Sequence, residues 1–211
     1  TGMKRYLTSL AVVACSWAGP LAAHPHVFVD LAVTFVADAE GHVVGVEVEW
    51  RYDELYSLLI LEDMGLDPEA DGVLTAQELE QVQGFDLNWI PEFQGDIYVE
   101  ARGGPLSLTA PEGRGTEVVA GQLISRHYRS LEVPQGEVVL RGYDPTFYAA
   151  YDLAGRVQVP EGCNFEITPA DLDAAYTLVE EALYKDPPKD DDEYPEVGAA
   201  FADRVAVTCR K

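Results

Sequence analysis

The chain has 211 residues, with 37 Asp and Glu against 14 Lys and Arg, and its formal net charge is −23. A surface this acidic repels the phosphates of nucleic acids and anionic lipids, so the composition argues against nucleic-acid binding and suits cations as ligands. The length is enough for one domain with a substantial core or for two small ones.

The first 23 residues have the order of a secretory signal peptide. Lys4 and Arg5 precede an apolar run over residues 7–18, and small residues follow at Ala22 and Ala23. The run is too short for a membrane helix, which needs about 20 apolar residues. Residues 1–23 are therefore predicted to be removed, leaving residues 24–211 as a periplasmic domain with no stable membrane insertion. Lipidation at Cys15 is the alternative.

A histidine pair opens the predicted mature protein, at His24 and His26. The β-branched and aromatic residues of 26–36 and 43–50, joined by a turn at 38–41, predict a β-hairpin. Residues two apart in a strand point to the same face, so both imidazoles can meet one ion. His42 falls in the turn and is expected to be solvated.

The segment over residues 52–83 predicts a helix, a loop and a second helix. Apolar positions between 55 and 61 fit helical spacing, and residues 67–78 fit the twelve-position calcium loop of an EF-hand, with Gly72 at the sharp turn. The alternative, compatible with the first, is that Thr75 and Glu78 form a capping box at the start of the second helix. The expected Ca²⁺ ligands are Asp67, Glu69, Asp71, Val73 through its carbonyl, Thr75 and Glu78.

The second half of the chain predicts strands separated by turns, followed by one helix. The strands are expected at 96–101, 105–109, 122–133, 137–142, 147–152 and 204–209. Thr168 is the predicted helix N-cap, with Pro169 in the first position and the helix running to Tyr184. One face is expected to pack on the sheet, through Leu172, Ala175, Tyr176, Val179 and Leu183. The fold class is therefore α+β, mainly antiparallel β, with an inserted EF-hand-like helix-loop-helix and one helix in the C-terminal region.

Two cysteines remain after the predicted leader, Cys163 and Cys209. In an oxidising compartment they are expected to form a disulfide that ties the last strand to the body of the domain. Two buried thiols are the alternative.

Four stretches of the predicted mature chain carry a resemblance to a known family: the His-Pro-His-Val-Phe start, residues 50–57, the acidic loop at 67–78 and residues 143–148. Together they resemble the ZevA-like family of bacterial periplasmic proteins, over nearly the whole predicted mature chain. Members of that family lie beside nickel, cobalt or zinc permeases of the NicO/RcnA type. The resemblance implies that the His-Pro-His start binds metal and that such an inner-membrane permease is the partner.

The residues of the start also constrain the metal. Pro25 has no backbone N–H, so a square-planar amino-terminal copper or nickel site is disfavoured, and a tetrahedral Zn²⁺ ion suits the imidazoles of His24 and His26 better. Ni²⁺ and Co²⁺ are the alternatives. His127 is the first choice for a third ligand and Asp144 the second. Without a metal, His127 is a surface or hydrogen-bonded histidine, and the pair is two exposed side chains at a frayed terminus.

Three functions follow from these features. The leading hypothesis is a binding protein, not an enzyme, that captures a transition metal and supplies a permease. The second is a calcium-stapled β-rich module that binds another protein. The third is a copper histidine-brace enzyme, which is disfavoured because no nucleophile and base are apparent in the sequence.

Overall fold

The structure is a computed structural model that describes residues 25–91, 93–102, 104–132, 136–153, 155–185 and 194–209. The predicted leader, Cys15 and His24 lie outside these residues. Eleven strands, three α-helices and a 3₁₀ turn make up the described fold. Their bounds are β1 Val27–Ala37, β2 Val43–Tyr52, α1 Glu54–Asp63, α2 Ala76–Gln81, β3 Ile97–Ala101, β4 Gly104–Leu106, β5 Glu112–Val119, β6 Gln122–Ser130, β7 Val138–Gly142, β8 Ala149–Asp152, β9 Val157–Gln158, β10 Cys163–Thr168, α3 Leu172–Lys185, the 3₁₀ turn Gly198–Phe201 and β11 Arg204–Cys209.

The first sheet is built on the hairpin of β1 and β2, which confirms the predicted pair of strands. Its order is β5-β6-β2-β1-β8, and β9 also pairs with β1. The hairpin places Val33 opposite Val48, and its turn is held by the Asp38 carboxylate, which accepts the backbone N–H of His42 at 2.8 Å. The pairs of β1 with β8 and β9 are parallel, and the other pairs are antiparallel.

The second sheet has the order β10-β11-β7-β3-β4 and is antiparallel throughout. Cys163 and Cys209 lie directly opposite each other on β10 and β11 and form a disulfide, which confirms the predicted bond. The bond joins the last described strand to the edge strand of this sheet.

One hydrophobic core lies between the two sheets. Alternate residues of β1, from Val27 to Phe35, are buried, as the period of two in a strand requires. The core joins these to side chains of the second sheet such as Val99 and Leu140. The sheets approach so closely that a Cβ atom added to Gly142 of β7 would overlap the side chain of Leu31 in β1. The α+β class with mainly antiparallel strands is thus confirmed.

Helices α1 and α2 flank the acidic loop, as expected from the sequence. The Asp53 carboxylate caps α1 by accepting the Tyr56 N–H, and the Ser57 hydroxyl fixes the helix to β6 by accepting the Leu123 N–H at 2.9 Å. Throughout the ranges that the structure describes, no helix is both long and apolar enough to cross a membrane.

The start of α3 differs from the prediction. Thr168 is not the N-cap, because it is the last residue of β10 and pairs with Arg204. Asp171 takes that role, and its carboxylate accepts the Ala174 N–H at 3.0 Å. Of the predicted packing face, Ala175 and Val179 are buried, whereas Leu172 and Tyr176 are about half exposed. The face packs on the 3₁₀ turn, where the rings of Tyr176 and Phe201 are 5.1 Å apart.

Several strands differ from the sequence prediction. β5, β9 and β10 were not expected, and the strand predicted at 105–109 is reduced to β4 and an isolated bridge at Leu108. β5 begins Glu-Gly-Arg-Gly, so it lacks apolar alternation and has little intrinsic preference for a strand. It is an edge strand, held by its pairing with β6.

Candidate functional site

His26 lies just before β1, at an open end of the first sheet. Its backbone N–H donates to the Tyr148 carbonyl at 2.8 Å, and the centres of the His26 and Tyr148 rings are 4.9 Å apart. The side chain is exposed and shares the outer face of β1 with Phe28. An imidazole in this position can reach a metal ion in solvent without disturbing the core.

Asp144 lies in the turn between β7 and β8, at the same end of the sheet. Its Oδ1 accepts the backbone N–H and the hydroxyl of Thr146, at 2.7 and 2.8 Å, and its Oδ2 accepts the Ala149 N–H at 3.4 Å. Because Ala149 pairs with Val27, this turn lies beside the start of β1. The observed role of the carboxylate is to organise its own turn.

His127 is buried inside the first sheet, away from His26. It lies opposite Val48 on β2, which in turn lies opposite Val33 on β1. Val33 is about 23 Å along the strand from His26, at roughly 3.3 Å per residue. The structure therefore does not bring His127 and His26 to one ion.

His127 is fully buried among aromatic side chains. Its ring packs between those of Trp50 and Trp89, with centres 4.7 and 5.4 Å away, and neither of its nitrogens has a hydrogen-bond partner among the described residues. Burial, helped by the charge of Arg129, lowers the pKa of His127 to about 3. The imidazole is therefore neutral at physiological pH.

A buried polar cluster beside His127 was not anticipated from the sequence. The Asp86 carboxylate accepts hydrogen bonds from the hydroxyls of Tyr52 and Ser125, and burial raises its pKa. Arg129 lies over the Trp89 ring and donates to backbone carbonyls. The signal in the sequence was the alternation of Ser, His and Arg at 125, 127 and 129, which places all three on the inner face of β6.

The acidic loop is closed on itself by hydrogen bonds. The Asp67 carboxylate accepts the backbone N–H groups of Asp71 and Gly72, at 3.1 and 2.9 Å. Thr75 and Glu78 form the predicted capping box, and Glu78 Oε1 also accepts the Asp67 N–H at 3.2 Å. The hydrogen bonds from Thr75 lower the pKa of Glu78. The first and last residues of the predicted calcium loop are thus adjacent.

Among the described residues, no group of three or more His, Cys, Asp or Glu side chains is positioned to hold a metal ion. Glu69, Asp71 and the Val73 side chain are exposed. The transition-metal and calcium sites therefore stay predictions.

Comparison with known proteins identifies a family. A family model described as "Protein of unknown function (DUF1007)" matches residues 9–209, so the chain belongs to that family. The family description names no function and no ZevA-like protein, so the resemblance to the ZevA-like proteins stays a prediction. A search of the curated proteins finds no match. Among solved structures, the acetylcholine-binding protein of Bulinus truncatus is similar at 11% identity over 87% of this chain and 85% of that chain, with a TM-score of 0.29, which is too low to guide an inference.

Proposed function

We propose that this member of the DUF1007 family is a periplasmic binding protein that captures a transition metal ion, preferably Zn²⁺, and supplies an inner-membrane permease of the NicO/RcnA type. The observation that supports this most directly is the exposed position of His26 at the start of β1, directly after His24-Pro25. A protein that hands on its metal needs a ligand set open to a partner. The disulfide is in keeping with an oxidising compartment such as the periplasm.

The proposed ligands are the imidazoles of His24 and His26, with Asp144 as a candidate oxygen donor at the same end of the sheet. Imidazole nitrogens suit Zn²⁺ and also bind Ni²⁺ and Co²⁺. His127 is too far along the sheet to complete this site. A site with few protein ligands keeps positions for water, and these positions would be exchanged when the ion moves to a permease.

The test is competitive titration of the mature protein with Zn²⁺, Ni²⁺, Co²⁺ and Cu²⁺ in excess Ca²⁺. We expect one-to-one Zn²⁺ binding with a Kd below about 10 µM. The double variant His24→Ala/His26→Ala should lose it, and the control His42→Ala, which alters a histidine paired with Asp38 in the hairpin turn, should keep it. Mass spectrometry of the exported protein establishes whether His24 is its first residue. Equal binding by the wild type and the double variant would refute the proposed site.

We further propose that the loop at 67–78 binds Ca²⁺ as a structural ion. The adjacency of Asp67 and Glu78 supports this, because oxygen donors from both ends of a loop can then meet one hard cation. Calcium should raise the melting temperature of the wild type, and Glu78→Gln should abolish that rise. Glu80→Gln, which changes an exposed carboxylate of the same helix, is the control. A rise of the same size in all three proteins would contradict the site.

The calcium-stapled interaction module is the second candidate function. It is supported by exposed leucines on α1, immediately before the loop. It predicts that His24→Ala changes no measurable property of the protein, whereas Glu78→Gln changes its stability in calcium.

A further inference from the structure

Helix α1 is apolar on two faces, and the structure buries only one of them. Ser57 and Leu61 are buried against the body of the protein. Leu55, Leu58 and Leu59 point the other way and are 64%, 47% and 51% exposed. These three positions follow the i, i+3, i+4 spacing of a single helical face. We refer to Leu55, Leu58 and Leu59 as the α1 leucine face.

An exposed leucine by itself needs no explanation, but a whole apolar helix face does. A helix that is hydrophobic all round is normally buried on all sides. A polar residue at any of the three positions would preserve the helix, since Gln and Glu have helix propensities close to that of Leu. Contiguous apolar surface that folding does not require is typical of a binding site.

The charged residues of α1 and of the loop and helix that follow it are all acidic. Residues 53–81, which run from the N-cap of α1 to the end of α2, contain nine Asp and Glu and neither Lys nor Arg. On α1 itself, Glu62 and Asp63 are exposed beside the leucines.

A concavity with acidic walls adjoins the same face. It has a volume of about 260 Å³ and lies between α1, the loop after it and the turn that joins β5 to β6. Leu58 lines it together with Glu54, Asp67 and Asp71. Asp67 and Asp71 belong to the proposed calcium loop, so the carboxylate that the recess offers to the head of a Lys or Arg side chain is the exposed Glu54, with Leu58 beside it for the apolar stem.

The combination of exposed leucines and acidic neighbours indicates which class of partner can bind the α1 leucine face. A second copy of this chain would bring like charges together, which costs binding energy. A bilayer rich in anionic lipids is repelled for the same reason. A protein segment with apolar side chains and flanking cations matches both features of the surface.

We propose that the α1 leucine face is the docking site for a partner protein segment whose apolar side chains are bordered by Lys or Arg. The leucines bury the apolar side chains, and the exposed carboxylates of Glu54, Glu62 and Asp63 on the same helix pair with the cations. The proposal rests on the interaction-module candidate above, for which it names the surface and the chemistry of the partner, and it does not depend on metal binding by the histidine pair.

The first experiment is photo-crosslinking in cells that express the full chain. A photoreactive amino acid replaces Leu55 or Leu59, and, as a control, Leu178 on α3, which is 46% exposed. We expect a discrete product from the two α1 positions and not from the control, and mass spectrometry should place the crosslink in a segment flanked by Lys or Arg. Products that contain only this chain, only lipid or a segment without basic residues, or products that are equal at the control, would overturn the proposal.

The second experiment titrates the crosslinked segment, as a synthetic peptide, into the purified protein in the presence of a metal chelator. The variant Leu55→Gln/Leu59→Gln should weaken binding at least about tenfold, because it removes the apolar contact. The variant Glu62→Lys/Asp63→Lys should weaken binding and reduce its dependence on salt.

The matched controls are Leu178→Gln and Glu180→Lys on α3, and both should bind like the wild type. Since all these positions are exposed, the melting temperatures should agree, which separates loss of docking from loss of folding. Unchanged binding by both α1 variants would overturn the proposal. The chelator keeps this result independent of whether the histidine pair binds metal.

Discussion

Asp96 offers the sharpest test of how burial controls stability in this fold. It directly precedes β3 and is only 5% exposed, and its Oδ2 accepts the Tyr151 hydroxyl at 2.7 Å. Burial raises the pKa of Asp96 from an ordinary 3.8 to about 7; the Tyr151 hydrogen bond lowers it and the charge of Asp144 raises it. Between about pH 4 and pH 7 the folded protein therefore holds a proton on Asp96 that the unfolded chain has already released.

The sign of the pH dependence follows from that difference. Between pH 4 and 7 the folded state binds more protons than the unfolded state, so the Asp96 contribution to the free energy of unfolding falls as pH rises. A shift of roughly three pKa units corresponds to about 4 kcal/mol, at about 1.4 kcal/mol per unit. The protein is expected to lose this amount between pH 4 and 8.

Asp96→Asn removes the charge while keeping an oxygen acceptor for Tyr151. The backbone at this position has a φ of 51°, which asparagine tolerates better than most residues. Urea denaturation from pH 4 to pH 8 should show the variant gaining about 4 kcal/mol relative to the wild type as pH rises. Glu100→Gln, an exposed carboxylate on β3, should show no such gain. A stability difference between Asp96→Asn and wild type that is constant with pH would refute this account.

Three further predictions follow from buried or constrained groups. Below pH 6.5 the free energy of unfolding of the wild type should fall by up to about 1.4 kcal/mol per pH unit, because the unfolded chain binds a proton at His127 that the buried imidazole does not bind until about pH 3. His127→Leu should remove this acid sensitivity. Parallel pH profiles of the two proteins would contradict this. Cys163→Ser/Cys209→Ser should cost about 4 kcal/mol by the chain-entropy estimate for a separation of 46 residues, measured by denaturation against the wild type with and without reductant. Gly198→Ala should cost roughly 1 to 3 kcal/mol, because the added methyl would overlap a carbonyl oxygen of the facing turn, whereas Gly104→Ala, with open space around it, should change the melting temperature little.

The parts of the fold that could be predicted are those whose local pattern and tertiary setting agree. The β1–β2 hairpin follows from alternating apolar residues that face one core, and the capping box at Thr75 is a local feature that the sequence shows directly. The disulfide was predictable because only Cys163 and Cys209 remain after the expected leader. In each of these three cases, the residues that make the stabilising interaction are the same residues whose pattern predicts it.

The parts that could not be predicted depend on distant partners. β5 contains two glycines and becomes a strand because β6 pairs with it. Thr168 is a residue type that commonly caps helices, and Pro169 follows it, but pairing with β11 keeps Thr168 in a strand. His127 is polar by type, and only the alternation along β6, seen together with the packing of Trp89, shows that it faces the core.

The contrast between His26 and His127 explains why residue type alone does not identify a metal ligand. A divalent ion at His127 would have to enter an aromatic core beside the Arg129 guanidinium, with the cost of removing a charge from water and little compensation. An ion at His26 would remain hydrated on an acidic protein, at a strand end that a partner can approach. If the protein captures an ion and then transfers it, the position of His26 is favoured on both energetic and kinetic grounds, because the ion can enter and leave without opening the core. The histidine pair at the start of β1 is therefore where the transition-metal hypothesis should be tested.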